Sequence, residues 1–101
     1  RRLKTANMIR LAHVYQWQQN YTLSEALFEE VITACQEDLD LTSYLDFAYQ
    51  HLGKCKLAQN QDREARHYFE QALVLRLDKG DRSLIDSTQL AIAVVVTRIC
   101  T

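Results

Sequence analysis

The sequence predicts an all-α protein, and three observations support this fold class. It contains no proline and only two glycines, so little in it interrupts a helix. It is rich in leucine, alanine, glutamine and glutamate, and apolar residues recur at spacings of three and four along most of the chain. Short polar segments separate the periodic stretches and divide the chain into about five helices.

The first two predicted helices span residues 5–19 and 23–36. Asn20-Tyr21 forms the turn between them, and Thr22 with Glu25 can form a capping box at the start of the second helix. Helices joined by so short a turn pack antiparallel. The segment 36–42, QEDLDLT, is an acidic polar connector. The apolar stripes of the two helices are Met8, Leu11, Ala12 and Tyr15, and then Leu27, Phe28, Val31, Ile32 and Cys35.

The next two predicted helices span residues 44–58 and 63–78 and form a second antiparallel hairpin. Ser43 and Asp46 can cap the first of them, Asp62 is the expected N-cap of the second, and Gly80 ends it. Gly53 lies inside a helix, where glycine costs about 1 kcal/mol relative to alanine. A close approach of the two helices, with Tyr49 and Phe69 filling the space beside the contact, explains its presence.

The fifth predicted helix spans residues 82–100 and is apolar around nearly its whole circumference. We expect one side of it to pack on the second hairpin through Leu84, Ala91, Val94 and Val95. The remaining apolar residues recur at steps of seven, four and three, and so form a second stripe. Left exposed, such a stripe marks an interface, which predicts a twofold homodimer. The alternative is that a further helix of a longer protein covers the stripe. The predicted self-association residues are Ile85, Ile92, Val96 and Ile99.

Residues 46–79 resemble a tetratricopeptide repeat (TPR). The positions that carry the resemblance are Tyr49, Leu52-Gly53, Ala65, Phe69 and Ala72. Two positions depart from the usual pattern, since Lys56 stands where tyrosine is common and Leu77 where proline is common. The second departure predicts a helix that continues to about Lys79.

A degenerate copy of this repeat occupies residues 5–38, and a lone terminal helix occupies residues 82–101. Ser24 and Val31 replace the two alanines in the degenerate copy. The counterparts of Leu52-Gly53 are Leu11-Ala12 in the degenerate copy and Leu90-Ala91 in the terminal helix. Both spacings exceed the basic repeat period of about 34 residues, so extended connections are expected.

The resemblance implies a single domain over residues 1–101, in which antiparallel hairpins stack as a right-handed superhelix. It also implies a non-enzymatic interaction scaffold without cofactors, which binds a helix or peptide of a partner protein in a concave groove. Trp17 is a typical interface anchor, and Lys54 is the cation at a groove position. The alternative for Trp17 is that it packs on the neighbouring hairpin or covers its own connector. The residues expected to bind the partner are Ile9, His13, Trp17, Gln50, Lys54 and Leu57.

Composition limits the other classes of function. Twelve basic and thirteen acidic residues give a net charge of −1, which does not indicate nucleic acid or an anionic membrane as a partner. The longest apolar run, LAIAVVV at 90–96, is too short to span a bilayer. The three cysteines lack the spacing of a metal site and are read as reduced residues of a cytoplasmic protein.

Two alternatives to the interaction module stay open. The chain begins Arg-Arg without Met, as a fragment of a longer protein would, so the repeats could be purely structural or self-associating. The extended repeats also resemble the sensor portion of bacterial peptide-responsive regulators, although this analogy rests on fold alone. No phosphate-binding glycine loop, GxSxG or HExxH motif occurs, so no catalytic residue is assigned.

Overall fold

The computed structural model describes residues 2–100 and contains all five predicted helices. They are α1 (Arg2–Trp17), α2 (Tyr21–Glu37), α3 (Leu45–Ala58), α4 (Asp62–Lys79) and α5 (Arg82–Cys100). A 3₁₀-helix, Leu39–Tyr44, lies between α2 and α3. Residues 2–100 include no β-strand, and the all-α prediction is confirmed.

Two helical hairpins, α1/α2 and α3/α4, form most of the molecule. In each hairpin the turn contains one residue with a left-handed backbone, Gln19 (φ 63°) and Asn60 (φ 64°). This conformation reverses the chain within a short turn and makes the paired helices antiparallel. Gly80 (φ 74°) ends α4 in the same conformation, as the sequence predicted.

The helix caps differ from those predicted. The side chain of Asn20, rather than Thr22, accepts a hydrogen bond from the backbone N–H of Leu23. Asp81 accepts one from the N–H of Leu84 at the start of α5. Asp46 caps no helix because its carboxylate is fully buried between α3 and α4, where it forms ion pairs. A capping motif in the sequence cannot reveal that a tertiary partner will take the side chain.

The connector between the hairpins is ordered by one buried apolar residue. Leu41 is only 4% exposed, and its carbonyl accepts a hydrogen bond from the thiol of Cys35 at 3.1 Å. The 3₁₀-helix packs against α1, α2 and α3. One of the extra residues of the long repeat, Leu41, therefore belongs to the core, while most of its neighbours in the connector are exposed.

Two apolar clusters lie between successive helices. The first cluster joins α1, α2 and α3, and its members include Ala12, Phe28, Leu52 and Cys55. The second cluster joins α4 to α5 through Ala65, Phe69 and Val95. Each cluster is centred on one fully buried phenylalanine from the second helix of a hairpin, Phe28 or Phe69.

Helix α5 packs on α4, and its last turn is tied to the start of α4, where Arg98 pairs with Asp62 at 3.0 Å. Within residues 2–100 it is the one helix whose length and composition would allow it to cross a membrane. An 18-residue window in it has a mean hydropathy of 1.4, and 17% of that window is buried. Core helices of globular proteins also pass this test, so the finding is weak on its own.

Candidate partner-binding face on α1, α3 and α5

The first helices of the repeats, α1 and α3, meet through two histidines. The rings of His13 and His51 lie 4.0 Å apart between centroids, and Phe28 stacks on His51 at 5.8 Å. The side chain of Gln16 donates a hydrogen bond to the carbonyl of His51 at 3.2 Å. These contacts fix α1 beside α3. The surface that these two helices form together with α5 is called here the α1–α3–α5 face, and it includes His13, Trp17, Lys54, Leu90 and Val94.

The two histidines are neutral at physiological pH because of their surroundings. Burial lowers the pKa of His51 to about 3, and the nearby His13 ring and the cations of Lys54 and Arg76 act in the same direction. Burial and Lys54 also lower the pKa of His13. The Nδ1 atom of His51 is buried and has no hydrogen-bond partner within residues 2–100. The imidazoles therefore act as a packed aromatic floor, while Lys54 supplies the charge.

Trp17 and Lys54 project from this floor. Trp17 is 74% exposed and lines, with His13, Val14 and Gln18, an open depression of about 380 Å³. Lys54 is exposed, and no carboxylate within residues 2–100 forms a salt bridge with it. The structure thus brings together three of the residues that the sequence assigned to partner binding: His13, Trp17 and Lys54.

The other three predicted partner-binding residues are less accessible to solvent. Gln50 is 2% exposed, and its Oε1 accepts a hydrogen bond from the hydroxyl of Thr88 at 3.0 Å. Ile9 packs on the first apolar cluster, and Leu57 packs on the second. Gln50 is therefore not accessible to a partner, because α5 covers it. The repeat pattern marks its position but contains no information on the neighbouring helix.

The register of α5 corrects the predicted alignment of the third repeat. Ser24 and Phe28 of α2 correspond to Ala65 and Phe69 of α4, and the first pair packs against Cys55 just as the second packs against Val95. Val95 is thus the counterpart of Cys55 in the third repeat. The counterpart of Leu52-Gly53 is accordingly Ile92-Ala93, which follows the predicted Leu90-Ala91 directly in the sequence.

This register corrects part of the predicted division of α5, although Val95 is fully buried and Ala91 packs on the second cluster as expected. Ile85, expected at the exposed stripe, is 6% exposed, and Ile92 and Ile99 pack on the second cluster. The fourth stripe residue, Val96, is half-buried. The exposed apolar residues are instead Leu90 (68%) and Val94 (46%), of which Val94 was expected to pack inward. The predicted exposure of the second stripe and the predicted burial of Val94 are wrong, because a helix that is apolar all round gives no preference for either side.

Leu90 and Val94 are the surface residues that the sequence analysis missed. By the corrected register they are the counterparts of Gln50 and Lys54 on α3, and so belong to the α1–α3–α5 face. The sequence does contain a signal for the corrected register of the third repeat, since Ile92-Ala93, like Leu52-Gly53, is a large apolar residue followed by a small one.

A buried polar network holds α5 beside α3 and α4. The guanidinium of Arg76, 2% exposed, donates to the carboxylate of Asp46 at 2.9 Å and to the hydroxyl of Thr88 at 2.9 Å. Lys79 forms a second ion pair with Asp46. The Arg76 and Lys79 cations lie 5.4 and 4.8 Å from the ring centroid of Phe47. The network links three helices and sets the position of the outer part of the face.

No cluster of three His, Cys, Asp or Glu side chains that could hold a metal ion occurs within residues 2–100. The third histidine, His67, lies on exposed α4 surface and exchanges a hydrogen bond with Gln71. It lies outside the aromatic floor formed by the other two. The distinctive chemistry of the α1–α3–α5 face is therefore an exposed indole beside an ammonium group, rather than an acid–base pair.

Comparison with known proteins identifies the repeat. A family model described as Tetratricopeptide repeat matches residues 4–78, which comprise both hairpins. No curated protein and no solved structure matches the chain. Domains of this family generally act as non-enzymatic scaffolds for protein interactions. Since the match covers most of the sequence and coincides with the two observed hairpins, the chain belongs to the tetratricopeptide repeat family.

Proposed function

We propose that the α1–α3–α5 face binds a helix or extended segment of a partner protein. The observation that carries this proposal is the exposure of Trp17, at 74%, on the same surface as the ammonium of Lys54, which forms no salt bridge within residues 2–100. Tryptophan loses few rotational degrees of freedom on binding and buries a large apolar area, so it commonly anchors interfaces. An indole with so much of its surface in water favours an intermolecular contact.

The charge of the face defines the segment that would fit it. The face positions of α1 and α3, with their counterparts on α5, include Lys54 and Arg98 but no aspartate or glutamate. Arg98 is already paired with Asp62, so Lys54 remains to meet a carboxylate from the partner. Val14 and Trp17 on one side and Leu90 and Val94 on the other offer apolar contacts. The proposed ligand thus carries an acidic residue flanked by apolar ones.

A displayed peptide library selected on the immobilised domain tests this proposal. Trp17 is the one tryptophan in the chain, so its fluorescence reports binding at this face without a label. We expect selected peptides to shift its emission to the blue and to carry acidic residues beside apolar ones. Lys54→Glu should weaken their binding about tenfold or more, equivalent to about 1.4 kcal/mol.

The matched control is Lys4→Glu, an exposed lysine of α1 beside a different depression, formed with α2. It makes the same change in net charge and should leave binding within about twofold. Selected peptides that bind Lys54→Glu and Trp17→Ala as tightly as the unaltered domain would refute the proposal. Circular dichroism of each variant checks that helicity is retained.

Self-association through α5 is a second candidate function, with one observation in its favour. Leu90 and Val94 are exposed on a helix whose apolar window is only 17% buried. Sedimentation equilibrium of the unaltered domain should then detect a dimer, and Leu90→Glu with Val94→Glu should give a monomer. Val74→Glu, at an exposed valine of α4, is the control. A monomer at tens of micromolar excludes a dimer of physiological strength.

A reducing, cytoplasmic setting is part of the proposal. The thiols of Cys35 and Cys55 are buried and free, and burial raises the pKa of both, which keeps them protonated and unreactive. Fractionation of the source cells, followed by detection with an antibody to the domain, tests this localisation. Recovery with the membrane or secreted fraction would contradict it.

A further inference from the structure

The opposite side of the molecule carries a furrow between α2 and α4. Both helices pack against α3, which forms the floor. The furrow consists of two adjoining depressions of about 310 and 290 Å³ that share Tyr49 and Gln71. It will be called the α2–α4 furrow, and no residue of the α1–α3–α5 face lines it.

The floor of the furrow is aromatic and apolar. The rings of Tyr49 and Tyr68 are stacked, with centroids 6.3 Å apart and an interplanar angle of 24°. Leu52 closes the floor, and Leu45 and Val74 extend it toward the other end. Val74 is 68% exposed although it is a branched apolar residue on a helix. This length of furrow accommodates several side chains of an extended or helical segment.

The wall on the α2 side is negatively charged. Lys56 pairs with Glu25 at 3.3 Å and with Glu64 at 3.6 Å. Glu29 is exposed, lines the furrow and forms no salt bridge within residues 2–100. Two carboxylates therefore pair with Lys56, while Glu29 is the acidic side chain that lines the furrow beside the tyrosines.

The electrostatic environment of Tyr68 agrees with this geometry. Burial raises the pKa of its phenol, and the carboxylates of Glu29, Glu64 and Glu25 raise it further against the opposing effect of Lys56. The three carboxylates that disfavour the phenolate would each attract a cationic side chain, whereas Lys56, the largest of the charge effects on Tyr68, acts in the opposite direction. Tyrosine ring faces attract cations as well, since the π-electron density lies above the ring.

We propose that the α2–α4 furrow is a second docking surface, which takes a partner segment with a basic side chain next to apolar ones. The basic group would pair with Glu29 and lie over the tyrosine rings, and the apolar neighbours would pack on Leu45 and Val74. The proposal is independent of the proposed function, since the two surfaces share no residue and prefer opposite charges. One domain could then hold an acidic segment on one side and a basic segment on the other.

Two short peptides with defined chemistry test the furrow without knowledge of the natural partner. The probes are acetyl-Leu-Arg-Leu-amide and acetyl-Leu-Glu-Leu-amide, titrated into the ¹⁵N-labelled domain and followed by the amide chemical shifts. We expect the arginine peptide to shift the amide signals of Tyr49, Tyr68 and Gln71 with millimolar affinity. The glutamate peptide should bind there at least about tenfold more weakly.

Glu29→Gln should lower the affinity for the arginine peptide several-fold. Its neighbour Glu30 is also exposed on α2 but lines a different depression, so Glu30→Gln is the matched control and should leave the affinity unchanged. Lys54→Glu should also have no effect, which separates this site from the α1–α3–α5 face. Equal binding of both peptides, no binding of either, or an equal loss with Glu29→Gln and Glu30→Gln would overturn the proposal.

Discussion

Gly53 lies directly under the ring of Phe69. A β-carbon added to Gly53 would be 2.7 Å from Cε1 and 2.8 Å from Cδ1 of that ring, closer than carbon atoms approach in folded proteins. Phe69 is fully buried in the second cluster and cannot move away freely. The glycine is thus required by the approach of α3 to α4, as its place inside a helix predicted.

Gly53→Ala should consequently destabilise the domain. The substitution would gain about 1 kcal/mol of helix propensity on an open surface, but overpacking against Phe69 should cost about 1–3 kcal/mol. We expect a net loss of up to about 2 kcal/mol in the free energy of unfolding, measured with urea. In a Phe69→Leu background the same substitution should no longer incur the overpacking cost. An equal cost in both backgrounds would show that the ring is not the obstacle.

Asp46→Asn should be among the most damaging single substitutions. Asp46 is fully buried and pairs with the buried guanidinium of Arg76. In the variant Arg76 would keep its positive charge but lose this anionic partner. Loss of one member of a buried pair costs about 3–5 kcal/mol. Thermal unfolding followed by circular dichroism would measure the change.

The matched control for that substitution is Asp86→Asn. By the corrected register Asp86 is the counterpart of Asp46 in the third repeat, but it is exposed and pairs with Arg82 at 3.8 Å. Its replacement should change stability by no more than about 0.5 kcal/mol. If the two variants melt at the same temperature, the buried network does not hold the helices together.

Stability should fall as the pH is lowered from about 6.5. An unfolded histidine binds a proton near pH 6.5, whereas folded His51 resists it down to a pKa of about 3. The unfolded state therefore binds more protons between these values, and the folded state loses its advantage as the pH falls. The loss attributable to His51 should reach about 2 kcal/mol at pH 5.

Urea unfolding at pH 7.5 and pH 5 would measure this effect. His51→Gln, which cannot take up a proton, should reduce the difference between the two conditions, and His67→Gln at an exposed position should not. A His51→Gln variant with the pH dependence of the unaltered domain would show that other groups cause it.

Glutamate substitutions on α5 should separate its two sides. Ile92→Glu places a carboxylate against Phe69 and Val95 and should detach α5, at a cost of about 2–4 kcal/mol. Leu90→Glu, at a position that is 68% exposed, should be nearly neutral. Amide hydrogen exchange along α5 would record the difference. The opposite ranking would restore the facing first predicted from the sequence.

The sequence by itself determined the number of helices, their pairing into two hairpins and the need for glycine at position 53. These features follow from local periodicity, turn residues and the small size of particular side chains, all of which are visible in a single chain. The exposed Trp17 and Lys54 were also predictable from the repeat pattern, although the core face of α1 was less clear, since Leu11 of its apolar stripe is 45% exposed and Thr5 is buried.

Only the tertiary structure decided which side of α5 faces the protein and which groove residues remain accessible. A helix that is apolar on all sides docks where the space fits, and here Ala65 and Phe69 leave room for Val95 while Arg76 meets Thr88. The polar connector is ordered for a similar reason, since Leu41 is buried where the 3₁₀-helix packs against three helices. Such packing depends on the shape of the surface formed by residues that are distant along the chain, and local sequence periodicity does not predict that shape.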